Sequence, residues 1–131
     1  MNGLDTNILI RFFAQDDRLQ SAKADKLMGS LSAENPGWVG MATILELVWV
    51  LGSKNRFDRN TITRIIDQLL SREEIVIEQA EVVLSALRLF RLGSADFADS
   101  LIAHSAKAAG CSRIVTFDRK AARDAGMELL G

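Results

Sequence analysis

Cysteine is almost missing. Cys111 is the only one in 131 residues, so no intrachain disulfide can form and thiolate metal sites are excluded. An excess of positive charge is also missing: 16 basic and 17 acidic residues leave a formal net charge of −1. That removes the broad basic surface of many nucleic-acid binders, so any such binding would rest on basic groups clustered locally. No long apolar run is present either. The longest stretch, "WVGMATILELVWVLG", is interrupted by Thr43 and Glu46 and falls short of a bilayer span. Asp5 and Arg11 sit where a signal peptide would be apolar, and no basic start precedes them. There is no internal repeat, low-complexity tract or linker. What remains is an ordinary globular balance, 48% hydrophobic and 25% charged. The expectation is one domain over residues 1–131, soluble and cytoplasmic, with no membrane partner and a chain long enough to bury a core.

Periodicity divides this chain into alternating elements. "NGL" (Asn2 to Leu4) is a short strand candidate running into "TNILIRFF" at helical spacing, and "SAKADKLMGSLSA" (Ser21 to Ala33) continues as helix. "NPG" breaks the chain before the short apolar "WVGM" and the helical "ATILELVWVLGS". "DRNTITRIIDQLLSR" opens on a capping acid, Asp58, and puts Ile62, Ile65, Ile66, Leu69 and Leu70 on one face. "EIVIE" reads as a strand, "AEVVLSALRLFRLG" as a helix ending at Gly93, and "DFADSLIAHSAKAAG" as another ending at Gly110. "SRIVTF" is a strand, "DRKAARDAG" a short helix and "MELL" a last edge strand. Strands alternating with helices predict parallel βαβ units in a three-layer α/β domain with helices on both faces of the sheet.

In such a domain strand ends and helix starts share one rim, where ligands bind in open α/β folds. Asp5 follows the first strand and Asp118 follows "SRIVTF". Asp96 and Asp99 open a helix three residues apart. Glu46 lies one turn inside the helix after "WVGM", roughly 6 Å from its start at about 1.5 Å per residue. Taken singly, Asp5, Asp96 and Asp118 are sufficiently explained as N-caps, and Asp96 with Asp99 as a capping box with Asp in place of Glu. Glu46 is too deep to cap. It either needs a partner, water or a metal among Ile44, Leu45, Leu47, Val48 and Leu51, or belongs to a narrow polar stripe, Thr43–Glu46–Ser53, facing solvent. Jointly, acids crowded on one rim repel one another, and a cation is the simple remedy. Oxygen-only donors suit Mg²⁺ or Mn²⁺ rather than zinc.

The same residues carry a family likeness. "LDTN" after a short first strand, "ATILELVWVL", "ADFADSLIAHSA" and "RIVTFDRKAAR", in that order, resemble a PIN-domain nuclease, and among these the VapC-type toxins of type II toxin–antitoxin pairs. The resemblance assigns Asp5, Glu46, Asp99 and Asp118 as the four catalytic acids, with Asp5 and Asp99 as metal ligands, Glu46, Asp96 and Asp118 as further ligand candidates, and Asp96 as the extra acid of part of the family. Thr6 and Asn7 match the polar pair after the first acid, and Thr116 a hydroxyl near the fourth. It implies a mostly parallel sheet of about five strands between helices and Mg²⁺-dependent endoribonuclease activity leaving a 5′-phosphate. It also implies a homodimer, and a small antitoxin whose basic segment covers the site.

Bare carboxylates would repel a phosphodiester, so positive partners are needed. Arg11, Arg119 and Lys120 lie beside the acidic motifs, and Lys54, Arg56 and Arg59 follow the Glu46 helix. Each alone is ordinary surface charge; as a set they would line an RNA groove whose binding weakens with salt. His104 is expected to be structural or solvent-facing, since metal hydrolysis needs no histidine. Trp38 and Trp49 are expected in the core or a subunit interface, with no basic cluster interleaved for base stacking. Two rivals remain. A haloacid-dehalogenase-like phosphotransferase would use Asp5 as nucleophile, but it normally needs a second Asp where Asn7 stands. A non-catalytic binding module would use its acids only as caps. The metal reading predicts that Mg²⁺ stabilises the chain as RT ln(1 + [L]/Kd), about 2.7 kcal/mol at a hundredfold excess over Kd. Thermal unfolding with Mg²⁺ and with EDTA reads this; the binding-module alternative predicts superimposable curves.

Overall fold

Parallel strands cannot be joined by a tight turn, so each must be followed by a crossover, and helices supply it here. The computed structural model describes residues 1–131. Its elements run β1 (Asn2–Gly3), α1 (Thr6–Ala14), α2 (Arg18–Ser30), β2 (Gly37–Val39), α3 (Met41–Ser53), α4 (Arg59–Ser71), β3 (Ile75–Ile77), α5 (Ala80–Arg91), α6 (Phe97–Ala108), β4 (Val115–Thr116), α7 (Arg119–Asp124) and β5 (Glu128–Leu129). The chain forms two compact units, Met1–Ala80 and Glu81–Gly131.

In the first unit the sheet order is β1-β2-β3, all parallel, with Gly3 opposite Trp38 and Trp38 opposite Val76. Strand side chains alternate between faces. Val39, Ile75 and Ile77 are therefore buried while Trp38 and Val76 face outward. α1 packs on α2 and α3, α3 on α4, and α4 on β3. Leu9, Ile44, Leu47, Leu51, Ile66 and Leu69 are fully buried and form the centre of this packing. On α4 the predicted face holds: Ile62, Ile65, Ile66 and Leu69 are buried and Leu70 is half-buried. Asp58 caps that helix by accepting from the Thr61 amide at 2.8 Å. The Thr61 hydroxyl and then its amide hold the Asp58 carboxyl below the usual range. At Gly37 the backbone is closely approached: a Cβ there would lie 2.8 Å from Leu4 Cδ1 and 3.0 Å from Leu31 Cδ1.

The second unit is smaller. β4 and β5 pair in parallel, Val115 opposite Glu128 and Thr116 opposite Leu129. Ala103, Ala121, Ala125 and Met127 form its buried cluster with Ile114 packed against them. Phe90 of α5 meets Phe97 edge-on, ring centres 5.6 Å apart, a favourable aromatic geometry. α6 ends at Ala108, and Gly110 beyond it takes the left-handed conformation (φ 98°) that closes helices.

The α/β class, the parallel pairing and every predicted element are present, but the five strands form a three-stranded and a two-stranded sheet. With two or three residues per strand, each ladder carries few hydrogen bonds. One helix also starts earlier than its apolar period suggests. α2 begins at Arg18 because Asp17 caps it, accepting from the Gln20 amide at 2.9 Å. No helix is long and apolar enough to cross a membrane. Two stability outcomes follow from the packing. Leu47→Ala should cost about 2–5 kcal/mol in urea unfolding because its site is fully buried. Gly37→Ala should cost about 1–3 kcal/mol by overpacking against Leu4 and Leu31.

Candidate functional site

Parallel pairing sets up the site in the first unit. β1 ends at Gly3, and after buried Leu4 the chain turns into α1 with extended Asp5 as N-cap, its Oδ1 accepting from the Thr6 amide at 2.8 Å. β2 ends at Val39, and α3 starts at Met41 after Gly40, which has no side chain to cap with. The cap comes from the end of β3 instead. Met41 donates its amide to Glu78 Oε1 at 2.9 Å, and the Glu78 amide donates to the Val39 carbonyl, also at 2.9 Å.

α3 buries Ile44, Leu47, Val48 and Leu51, which turns Glu46 outward. The solvent-facing reading of Glu46 is thus the observed one, yet the water it faces fills a cleft of about 500 Å³ lined also by Asp5, Thr6 and Asn7. Thr6 is buried and Asn7 exposed. Sequence reasoning missed Asp16 and Asn55 in the same cleft. Arg11 donates to Asp16 Oδ1 at 3.0 Å and to Gln20 Oε1 at 2.7 Å, and Asn55 donates to Asp16 Oδ2 at 3.1 Å. Adjacent acids Asp16 and Asp17 hinted at a polar loop, but nothing in the sequence pairs that loop with Asn55. The charge of Arg11 is therefore already compensated, whereas Lys54, also lining the cleft, has no ion pair.

In the second unit Asp96 caps α6, its Oδ1 accepting from the Asp99 amide at 3.2 Å. Asp118 caps α7, its Oδ1 accepting from Lys120 at 2.8 Å and Ala121 at 3.3 Å. Thr116 holds that turn, its hydroxyl oxygen accepting from the Asp118 amide at 3.0 Å. Asp99 is pushed above the usual carboxylate range by burial first, then by the like charges of Asp96 and Asp118, with Lys120 pulling the other way. Arg119 and Lys120 are exposed beside Asp118, and exposed Arg56, in a left-handed conformation (φ 56°), does not line the Asp5 cleft.

The capping reading of Asp5, Asp96 and Asp118 is correct as far as it goes. Each caps through Oδ1, and Oδ2 takes no part in the cap. Carboxylate oxygens of this kind fit a hard divalent ion by donor chemistry. No three His, Cys, Asp or Glu side chains gather as a ready-made ligand set, and Mg²⁺ typically keeps several waters and takes only one or two carboxylates. His104 is half-buried with Nδ1 2.8 Å from the Ser100 carbonyl, so Nδ1 carries the proton in a structural bond. Neither tryptophan is core: Trp38 is 38% and Trp49 63% exposed, and Trp49 lines the Asp5 cleft.

A family model described as the PIN domain matches residues 4–126. The chain belongs to the PIN-domain family. This PIN domain is also similar to a curated protein named VapC ribonuclease from Aquifex aeolicus (strain VF5). The two are 25% identical over 122 residues, 92% of this chain and 89% of the relative. No solved structure matches it.

Charge repulsion at Asp99 gives a signed expectation. Its raised value means the folded state binds more protons than the unfolded one as pH rises through the carboxylate range. Its contribution is therefore full at low pH and is lost as pH rises through the folded-state value. Asp99→Asn should raise the unfolding midpoint at neutral pH in EDTA, with the gain fading in acid; an unchanged or lower midpoint at neutral pH would contradict the crowding.

Proposed function

We propose that this PIN domain is a Mg²⁺-dependent endoribonuclease and the toxin of a toxin–antitoxin pair, with Mn²⁺ as the alternative ion. The observation that carries the reading is the shared cleft of Asp5 and Glu46, two carboxylates from separate helices with Thr6 and Asn7 beside them. The likeness to the VapC ribonuclease over nine-tenths of the chain supports it. We take residues 1–131 as one PIN-like domain, because the family match runs through both compact units.

The assigned catalytic acids are Asp5, Glu46, Asp99 and Asp118; Asp5 and Asp99 are the assigned metal ligands, with Glu46, Asp96 and Asp118 as further candidates. A bound divalent ion supplies an acidified water and offsets charge on the phosphate and the leaving oxygen. The chain's own part is positional. The caps at Asp5 and Asp118 fix each backbone through Oδ1, and Thr116 steadies the Asp118 turn. Lys54 is assigned to a substrate phosphate, since it enters the cleft unpaired. Arg119 and Lys120 are assigned the same role near Asp118. Arg11, which also orders the cleft wall through Asp16, and Arg56 are assigned to the RNA as well. The partners follow from the reading: RNA, a second copy of the chain, and a small antitoxin whose basic segment covers the acids in a cytoplasmic complex. An arginine suits that task, being always charged and able to bind carboxylates bidentately.

The test is cleavage of a mixed RNA pool with Mg²⁺, with EDTA, and by Asp5→Asn. Cleavage should stop in EDTA. Asp5→Asn should lower the rate by more than the roughly 10–100-fold that losing an outer-shell partner costs. If Asp5→Asn cleaves as fast as the parent, the catalytic assignment fails.

A further inference from the structure

We infer that Trp49 is the stacking platform for one unpaired nucleobase of the RNA substrate, adjoining the phosphate handled from Asp5 and Glu46. This rests on the ribonuclease reading and adds a subsite to it. Trp49 follows Glu46 by three residues on α3, so the two occupy one face a turn apart. Both line the cleft that Asp5 enters. The helix puts Leu47, Val48 and Leu51 inside and leaves the indole 63% exposed.

An exposed apolar side chain by itself means little. Its neighbours give this one meaning. Lys54, at the C-cap of α3, reaches the same cleft without an ion pair. The turn just beyond it is tied down where the Asn55 amide donates to Asp16 Oδ2 at 3.1 Å. An aromatic face beside a free ammonium is what single-stranded nucleic acid binds: the base stacks on the ring while the phosphate meets the cation. A subunit contact is the competing use of an exposed tryptophan. Interface centres are depleted of charge, however, and this indole shares its cleft with Asp5, Glu46 and Lys54. A base can stack only when it is unpaired, so loops and single strands are favoured over duplex.

The experiment has two readouts. In a Trp38→Phe background Trp49 is the sole indole, and rapid mixing with a short single-stranded RNA in Mg²⁺ should quench its fluorescence before cleavage accumulates. In the otherwise unaltered chain, Trp49→Ala should raise KM about 5- to 100-fold, as expected for one lost stack, with kcat little changed. Trp49→Phe should fall between, and the unfolding midpoint should stay near the parent's. An unchanged KM in Trp49→Ala, or a raised KM without RNA-dependent quenching, overturns the stacking role while parental cleavage keeps the nuclease reading. A lower oligomeric mass with unaltered RNA affinity overturns it in favour of a subunit contact. A parent that neither binds nor cleaves RNA removes both.

Discussion

Parallel pairing of three very short strands is the constraint on which the rest depends. With β1, β2 and β3 all running one way, the chain leaves each strand at the same edge of the sheet. α1 begins beyond β1, α3 begins beyond β2, and Glu78 beyond β3 reaches across to cap α3. Asp5 and Glu46 owe their common cleft to that arrangement and not to any contact between them. The buried stripe of α3, Ile44, Leu47, Val48 and Leu51, sets its rotation, and Glu46 and Trp49 are what that rotation leaves outside.

Electrostatics carries a cost at Asp99. A helix N-terminus favours an acid, which explains Asp5, Asp96 and Asp118 one at a time. It does not explain Asp99, whose carboxyl is raised by burial and by two neighbouring acids. A fold selected for stability alone would place an uncharged residue there. Capping and ion binding are compatible in the same carboxylate because the cap needs only one of its two oxygens.

Much of this was legible in the sequence, and the misses have physical reasons. Element types followed from periodicity, and capping acids such as Asp58 marked starts. α2 was placed three residues late because its first turn, Arg18 to Gln20, has no apolar period and only Asp17 announces it. Division of five strands between two sheets was not legible, since strands of two or three residues carry no pairing code. At the site, the position of each acid relative to its element could be read from local spacing. The pairing of Arg11 with Asp16, and of Asp16 with Asn55, could not, because it joins loops distant in sequence. The exposure of Trp49 was not legible for the same reason: it stands outside the core, and Lys54 and the acids that share its cleft come together with it only after folding.

Carboxylates at this edge are proposed to hold a hard divalent ion. The most direct measurement is anomalous scattering from a crystal soaked in Mn²⁺. The expected result is a peak in the cleft within about 2.0–2.3 Å of a carboxylate oxygen, with Asp5 among the ligands. A crystal that takes up Mn²⁺ elsewhere and leaves the oxygens of Asp5 and Glu46 without an ion would contradict it.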